Sequence, residues 1–116
     1  MSDFTEVGLV ADVPVNTTKR VTVGGTVIAV VRTPDGVYAI NDRCSHADVS
    51  LADGEVEDCA IECWLHGSAF DLRTGKPLSL PAIVPVPVYP VRIVGEGDAA
   101  VIEVDPTPIP APSPVR

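Results

Sequence analysis

Both histidines of this 116-residue chain, and two of its three cysteines, fall into two short boxes, Cys44-Ser45-His46 and Cys63-Trp64-Leu65-His66. A chain that used histidine for packing or surface chemistry would scatter it. Here each box pairs one thiol with one imidazole, so the fold must bring two loops side by side around one centre. Thiolates and imidazoles together suit zinc or iron–sulfur centres rather than calcium or magnesium. Spacing separates the two readings. Structural zinc sites usually place about two to four residues inside each ligand pair. Cys63 and His66 fit that rule; Cys44 and His46, with Ser45 alone between them, do not. Two cysteines and two histidines are also the ligand set of a [2Fe–2S] cluster in which imidazoles replace thiolates on one iron.

Charge arithmetic gives that replacement a consequence. Two ferric ions, two sulfides and two thiolates sum to zero, whereas four thiolates leave a double negative charge. Adding an electron to a neutral centre costs less, so imidazole ligation raises the reduction potential. The iron without thiolates is expected to take the electron and to lie nearer solvent.

The rest of the chain sets the context. Its length supports one domain with a modest core. A net charge of −8 and a pI near 4.4 argue against nucleic acid or an anionic membrane as partner and favour a basic protein surface. No apolar run approaches the ~18 residues of a membrane span, and the first residues lack the basic and apolar regions of a signal peptide. An odd number of cysteines makes no disulfide framework. The expected setting is the reducing cytoplasm, where the Asn16-Thr17-Thr18 sequon has no meaning; the expected state is a monomer.

Short β-rich runs separated by Gly, Pro and Asp dominate. Arg20–Val23 and Thr26–Arg32 flank Gly24-Gly25, a two-residue hairpin signal. Thr33-Pro34-Asp35-Gly36 marks a second tight turn before Val37–Ile40, and further runs cover Ile61–Trp64, Ala69–Leu72, Val91–Val94 and Ala99–Val104. Helical periodicity is nowhere sustained, so the class is all-β, built from small antiparallel sheets. The proline-rich stretch Pro77–Pro90 suits only edge strand or ordered loop. Residues 1–104 form the expected domain. Residues 105–116, with proline at every second position from 106 to 114, form an extended or disordered tail.

Taken together, the boxes resemble the Rieske iron–sulfur family, whose pattern is C-x-H, a spacer, then C-x-x-H. Gly67-Ser68-Ala69-Phe70-Asp71 and Thr74-Gly75-Lys76-Pro77 are similar to that family's second box and the strand leaving it. The resemblance covers about residues 3 to 104. It implies a stack of small antiparallel sheets with a cluster-binding subdomain at one tip. It also implies one [2Fe–2S] cluster per chain, with Cys44 and Cys63 on one iron and His46 and His66 on the other. Ser68 would donate a hydrogen bond to a bridging sulfide, and Pro81 to Pro85 would form a third loop over the cluster. Respiratory members add a disulfide between the boxes and a membrane anchor; the stretches Ala47-Asp48-Val49 and Trp64-Leu65 hold no cysteine for the first. Phe70 stands where high-potential members carry a hydrogen-bonding tyrosine, which implies a potential near the low end of the family's range, about −150 mV. Trp64 is expected to pack, and Cys59, in the strand-like run Asp58-Cys59-Ala60-Ile61, to behave as a small buried hydrophobe.

Acids crowd the region between the boxes: Asp42, Asp48, Asp53, Glu55, Glu57, Asp58 and Glu62, with Arg43 alone opposing them. Such a face steers a basic docking surface and makes exchange salt-sensitive. The resemblance therefore implies a ferredoxin that takes one electron from an NAD(P)H-dependent flavin reductase and passes it to a terminal oxygenase. By the same resemblance it is expected to be a dioxygenase component and not itself an enzyme. Two alternatives remain. The first is the small subunit of an assimilatory nitrite reductase, to be recognised by co-purification with a sirohaem subunit. The second is a cluster-based redox sensor, to be recognised by partner binding that follows oxidation state without electron flow.

Overall fold

The computed structural model describes residues 4–43, 50–63, 69–78 and 86–109. Its strands are β1 (Thr5–Leu9), β2 (Thr17–Val23), β3 (Thr26–Thr33), β4 (Gly36–Asn41), β5 (Val56–Glu57), β6 (Ala60–Glu62), β7 (Ala69–Asp71), β8 (Val88–Tyr89), β9 (Val91–Val94) and β10 (Val101–Val104). They pair antiparallel into three sheets, ordered β1-β10-β9, β2-β3-β4-β8 and β5-β6-β7. Three 3-10 turns, Val10–Asp12, Leu51–Asp53 and Gly97–Ala99, complete the regular structure of the described residues. The all-β class read from the sequence is the class observed.

Strand β3 explains the layering. Its run Ile28-Ala29-Val30-Val31 is apolar without alternation, the signature of a strand covered on both faces. Ile28 and Val30 enter one core, with Val13, Val23, Ala39, Tyr89, Ile102 and Val104. Ala29 and Val31 enter the other, with Ile40, Leu51, Ile61, Cys63, Phe70 and Val88. The four-stranded sheet is thus the middle layer, with the β1-β10-β9 sheet on one face and the β5-β6-β7 sheet on the other. Ile28, Val30 and Val31 are completely buried. Each such side chain contributes about 1.5–3 kcal/mol relative to exposure.

The turns follow their sequence signals. Gly24 and Gly25 take φ of 57° and 83°, the left-handed pair that a type I′ hairpin requires. In the β3–β4 turn, Thr33 Oγ1 accepts from Asp35 N–H at 3.1 Å and donates to the Gly36 carbonyl at 3.1 Å. Three strands carry too little pattern to be seen beforehand. Strand β1 is interrupted by a bulge between Glu6 and Gly8, while β5 and β8 are two residues each. Strand β8 lies at a sheet edge between Pro87 and Pro90, as proline-flanked segments must.

The start of the proline-rich tail is held in place. Asp105 N–H donates to the Pro90 carbonyl at 3.1 Å, Thr107 N–H to Asp105 Oδ1 at 2.9 Å, and Ile109 N–H to the Val88 carbonyl at 2.8 Å. Residues 110–116, the third-loop segment Pro81 to Pro85, and Trp64 lie outside the described residues.

Candidate metal centre

The first box lies between strand β4 and the 3-10 turn at Leu51. Cys44 and His46 lie outside the described residues, but both ends of their loop are described. Arg43 and Ser50 form an isolated antiparallel bridge across its neck. Beside them Asp42 is buried, its side chain 8% exposed. Its Oδ2 accepts from Ser50 Oγ at 2.6 Å and from Arg20 Nε at 3.1 Å, and its Oδ1 accepts from Ala52 N–H at 2.9 Å. Arg20 Nη2 also donates to Ser50 Oγ at 2.6 Å and lies 3.5 Å from Asp53 Oδ2. A buried carboxylate is costly unless paired and hydrogen-bonded; Asp42 is both.

The second box opens from the β6–β7 hairpin, closed by the Glu62–Ala69 pair. His66 and Ser68 lie outside the described residues. Cys63 is described. It directly follows β6, is fully buried, and is not in a disulfide. The period of two along β6 turns Ile61 and Cys63 inward and leaves Glu62 exposed. Phe70, opposite Ile61 on the same face, is fully buried beside them.

The two necks meet. Leu51, one residue past Ser50, packs in the same core as Cys63, Ile61 and Phe70. Gly54 lies against the backbone just before Cys63: a Cβ on it would stand 1.7 Å from the Glu62 carbonyl oxygen. Glu62 N–H also donates to the Glu55 carbonyl at 2.8 Å. The fold therefore packs the exit of the first loop onto the entry of the second, which is what a centre bridging both boxes demands. A sulfur excluded from water, where the necks of two loops meet whose sequences each carry one thiol and one imidazole, fits a two-cysteine, two-histidine cluster.

Cys59 is buried, 6% exposed, as a small hydrophobe would be. It does not extend a strand. Asp58 and Cys59 are the two central residues of the β5–β6 turn, with φ of 51° and 58°, and Glu57 pairs with Ala60 across them. Type I′ turns favour Asn-Gly or Asp-Gly because both positions need positive φ; cysteine in the glycine position hid the turn from sequence. Its side chain packs with Tyr38 of β4. A hydrogen bond with Cys59, and secondarily burial, hold the Tyr38 hydroxyl above the ordinary tyrosine value.

The acidic face is smaller than the sequence count suggests. Asp42 belongs to the buried network, not to the surface, and Asp48 lies outside the described residues. Asp53, Glu55, Glu57, Asp58 and Glu62 are exposed. The opposing cation that sequence proximity missed is Arg20, which reaches the acids from β2 across the sheet. No local signal marks it; only the pairing of Arg20 with Ala29 puts it on this face.

The chain matches the Rieske [2Fe-2S] domain over residues 3–90 and belongs to that family. One [2Fe–2S] cluster per chain goes with membership. The chain is similar to the 3-phenylpropionate/cinnamic acid dioxygenase ferredoxin subunit of Escherichia coli K12: 47% identical over 87 residues, 74% of this chain and 81% of that protein. Among solved structures it is similar to the ferredoxin of carbazole 1,9a-dioxygenase from Nocardioides aromaticivorans IC177. That match has a TM-score of 0.83 at 36% identity and covers 91% of this chain and all (100%) of the other. A chain in the complex of reduced oxygenase and oxidized ferredoxin in carbazole 1,9a-dioxygenase matches at a TM-score of 0.79 and 37% identity. It covers 90% of this chain and 94% of that one. Among the described residues no helix is long and apolar enough to cross a membrane.

Proposed function

We propose that this protein is the Rieske-type ferredoxin of a multicomponent oxygenase, carrying single electrons to a terminal oxygenase and not itself catalysing the oxygenation. When bound, the cluster supplies a one-electron couple. Cys44 and Cys63 would hold one iron as thiolates, and His46 and His66 the other as imidazoles. Leu51, Ile61 and Phe70 keep water from Cys63, which holds its surroundings apolar and the potential defined. Exposed Asp53, Glu55, Glu57, Asp58 and Glu62 present negative charge next to the loops and steer a basic partner surface.

The observation that carries this reading is the convergence of both loop necks on one dry core containing Cys63. The named relatives, ferredoxins of dioxygenases and one in complex with its oxygenase, supply the acceptor class. The donor we propose is a flavin-dependent, NAD(P)H-oxidising reductase, with the carrier acting as a cytoplasmic monomer. A charge of −8 suits such a role, since brief redox complexes are small and electrostatic.

The test is an EPR spectrum of the dithionite-reduced protein with iron and sulfide quantified on the same sample. A rhombic signal averaging below the free-electron value, at two irons and two sulfides per chain, supports the histidine-ligated centre. One zinc with no sulfide overturns it. Stable co-purification with a sirohaem subunit would instead assign the chain to a nitrite reductase.

A further inference from the structure

The two ligand loops are closed by different means. The neck of the second, Glu62–Ala69, ends a ladder that continues through Ile61–Phe70 and Ala60–Asp71. Among the described residues the neck of the first, Arg43–Ser50, is an isolated bridge, backed by the Leu51 N–H bond to the Asp42 carbonyl. One backbone pair closes a loop weakly, since the entropy of closure is not shared with neighbouring pairs. What stands beside that bridge is the Arg20–Asp42–Ser50 network.

We propose that Asp42, Arg20 and Ser50 form a positioning clamp for the first ligand loop, fixing both of its ends against the middle sheet so that Cys44 and His46 are presented in one geometry. The inference rests on the ligand assignment of the preceding subsection. Asp42 is two residues before Cys44, and its carboxylate spans the neck by accepting from Ser50 and from Ala52 on the far side. Its own N–H is tied to the Val27 carbonyl of β3 at 3.1 Å. Arg20 then bridges from β2, donating to Asp42 and Ser50 at once. The planar guanidinium makes two directed bonds where a lysine would make a flexible one. Arg20 is half exposed, at 48%, while Asp42 is buried, so charge and geometry are set from the solvent side onto a dry carboxylate. Each member acts on the ligands through the loop ends.

The experiment uses the cluster-loaded protein with Asp42→Asn, Arg20→Met, Arg20→Lys and Ser50→Ala, together with Cys44→Ser and a remote control, Arg92→Met. The control removes the exposed Arg92–Glu103 ion pair of the β9–β10 edge. Asparagine keeps an acceptor for Ala52 N–H but meets Arg20 and Ser50 with a donor. Asp42→Asn and Arg20→Met are expected to change the g-anisotropy of the reduced EPR signal and to weaken iron retention against a chelator about ten- to a hundredfold, the usual effect of losing an outer partner of a metal ligand. Ser50→Ala changes both less, Arg20→Lys restores part of the effect, and Arg92→Met leaves the spectrum unchanged. Wild-type spectra and iron retention in Arg20→Met and Ser50→Ala, which replace half-exposed or small groups and should fold, overturn the clamp even if Asp42→Asn does not fold. Should Cys44→Ser keep a full, unchanged cluster, the ligand assignment itself fails. Should Cys44→Ser lose the cluster while the clamp variants match wild type, the clamp alone is refuted.

Discussion

Gly54 presses so closely on the Glu62 carbonyl that no side chain fits between them. This contact joins the exit of one ligand loop to the residue before Cys63, so the spacing of the two loop necks depends on a glycine in neither box. In Gly54→Ala the new methyl displaces either the Leu51–Asp53 turn or the end of β6. Overpacking of this kind costs about 1–3 kcal/mol, and here the shift is delivered to Cys63. Denaturation of the holoprotein should show the loss, and the visible spectrum should change with it. A variant with wild-type stability and spectrum would mean the two necks move independently.

Phe70 and Cys63 share one face of the β6–β7 hairpin, one diagonal step apart, within the reach of an aromatic side chain. Phenylalanine offers no donor there. Phe70→Tyr places a hydroxyl in a dry core where the Cys63 sulfur is an available acceptor. A hydrogen bond to that sulfur stabilises the more negative, reduced protein. We expect the midpoint potential to rise by about 60 mV, equivalent to a tenfold change in a one-electron equilibrium. Protein-film voltammetry measures it directly. An unchanged or lower potential would show that the hydroxyl does not reach the sulfur.

At Cys59 two terms oppose each other: a left-handed backbone that glycine would adopt freely, and a buried side chain that glycine would lose. The strain costs about 1 kcal/mol, and a small buried side chain contributes a similar amount. Cys59→Gly should therefore lie within about 1 kcal/mol of wild type. Cys59→Val keeps the bulk but puts a β-branched residue at positive φ, and should lose about 2 kcal/mol or more. Paired chemical denaturation curves decide it; valine tolerated as well as glycine would mean the turn relaxes.

Much of this molecule was legible before any coordinates. The Gly24-Gly25 hairpin with its flanking β runs Arg20–Val23 and Thr26–Arg32, and the paired boxes, each announce themselves by residue type at fixed spacing, and strands β2 and β3 and the family agree with them. What stayed hidden depends on contacts between distant segments. Arg20 is an ordinary strand cation until pairing with β3 turns it toward Asp42, so proximity in sequence leaves Arg43 alone opposing the acids. Cys59 read as strand because cysteine carries no turn signal. Strands β5 and β8 are two residues long, below any period. Cys44, His46, His66 and Ser68 were named from spacing and resemblance, and of the ligand set the structure describes Cys63.

Tyr38 supplies a pH dependence with a definite sign. Its hydrogen bond with Cys59, aided by burial, raises its pKa above the ordinary value of 10.0. Above that pH the folded chain keeps a proton that the unfolded chain has released, so stability falls as pH rises. The contribution is complete below pH 10.0 and is lost as pH climbs through the raised folded value. Difference absorbance of tyrosinate between wild type and Tyr38→Phe should place this ionisation above the ordinary value, and Cys59→Ala should bring it down. A Tyr38 titration at its ordinary value in the wild type would remove the hydrogen bond from the account.

The last described residues of the tail are tested by where the chain is cut. Asp105 and Ile109 donate backbone hydrogen bonds to Pro90 and Val88, so this stretch covers the outer edge of the middle sheet at β8. Strand β8 is only two residues long and has β4 as its partner on the other side. Losing the outer bonds leaves it with one neighbour. A stop after Val104 removes both bonds, each worth about 1 kcal/mol, and should cost about 2 kcal/mol. A stop after Ile109 keeps them and should leave stability unchanged. Because Val88 sits in the same core as Cys63, the shorter protein should also lose iron to a chelator sooner than the longer one. Equal stability of the two truncated proteins would show that residues 105–109 rest on the domain without supporting it.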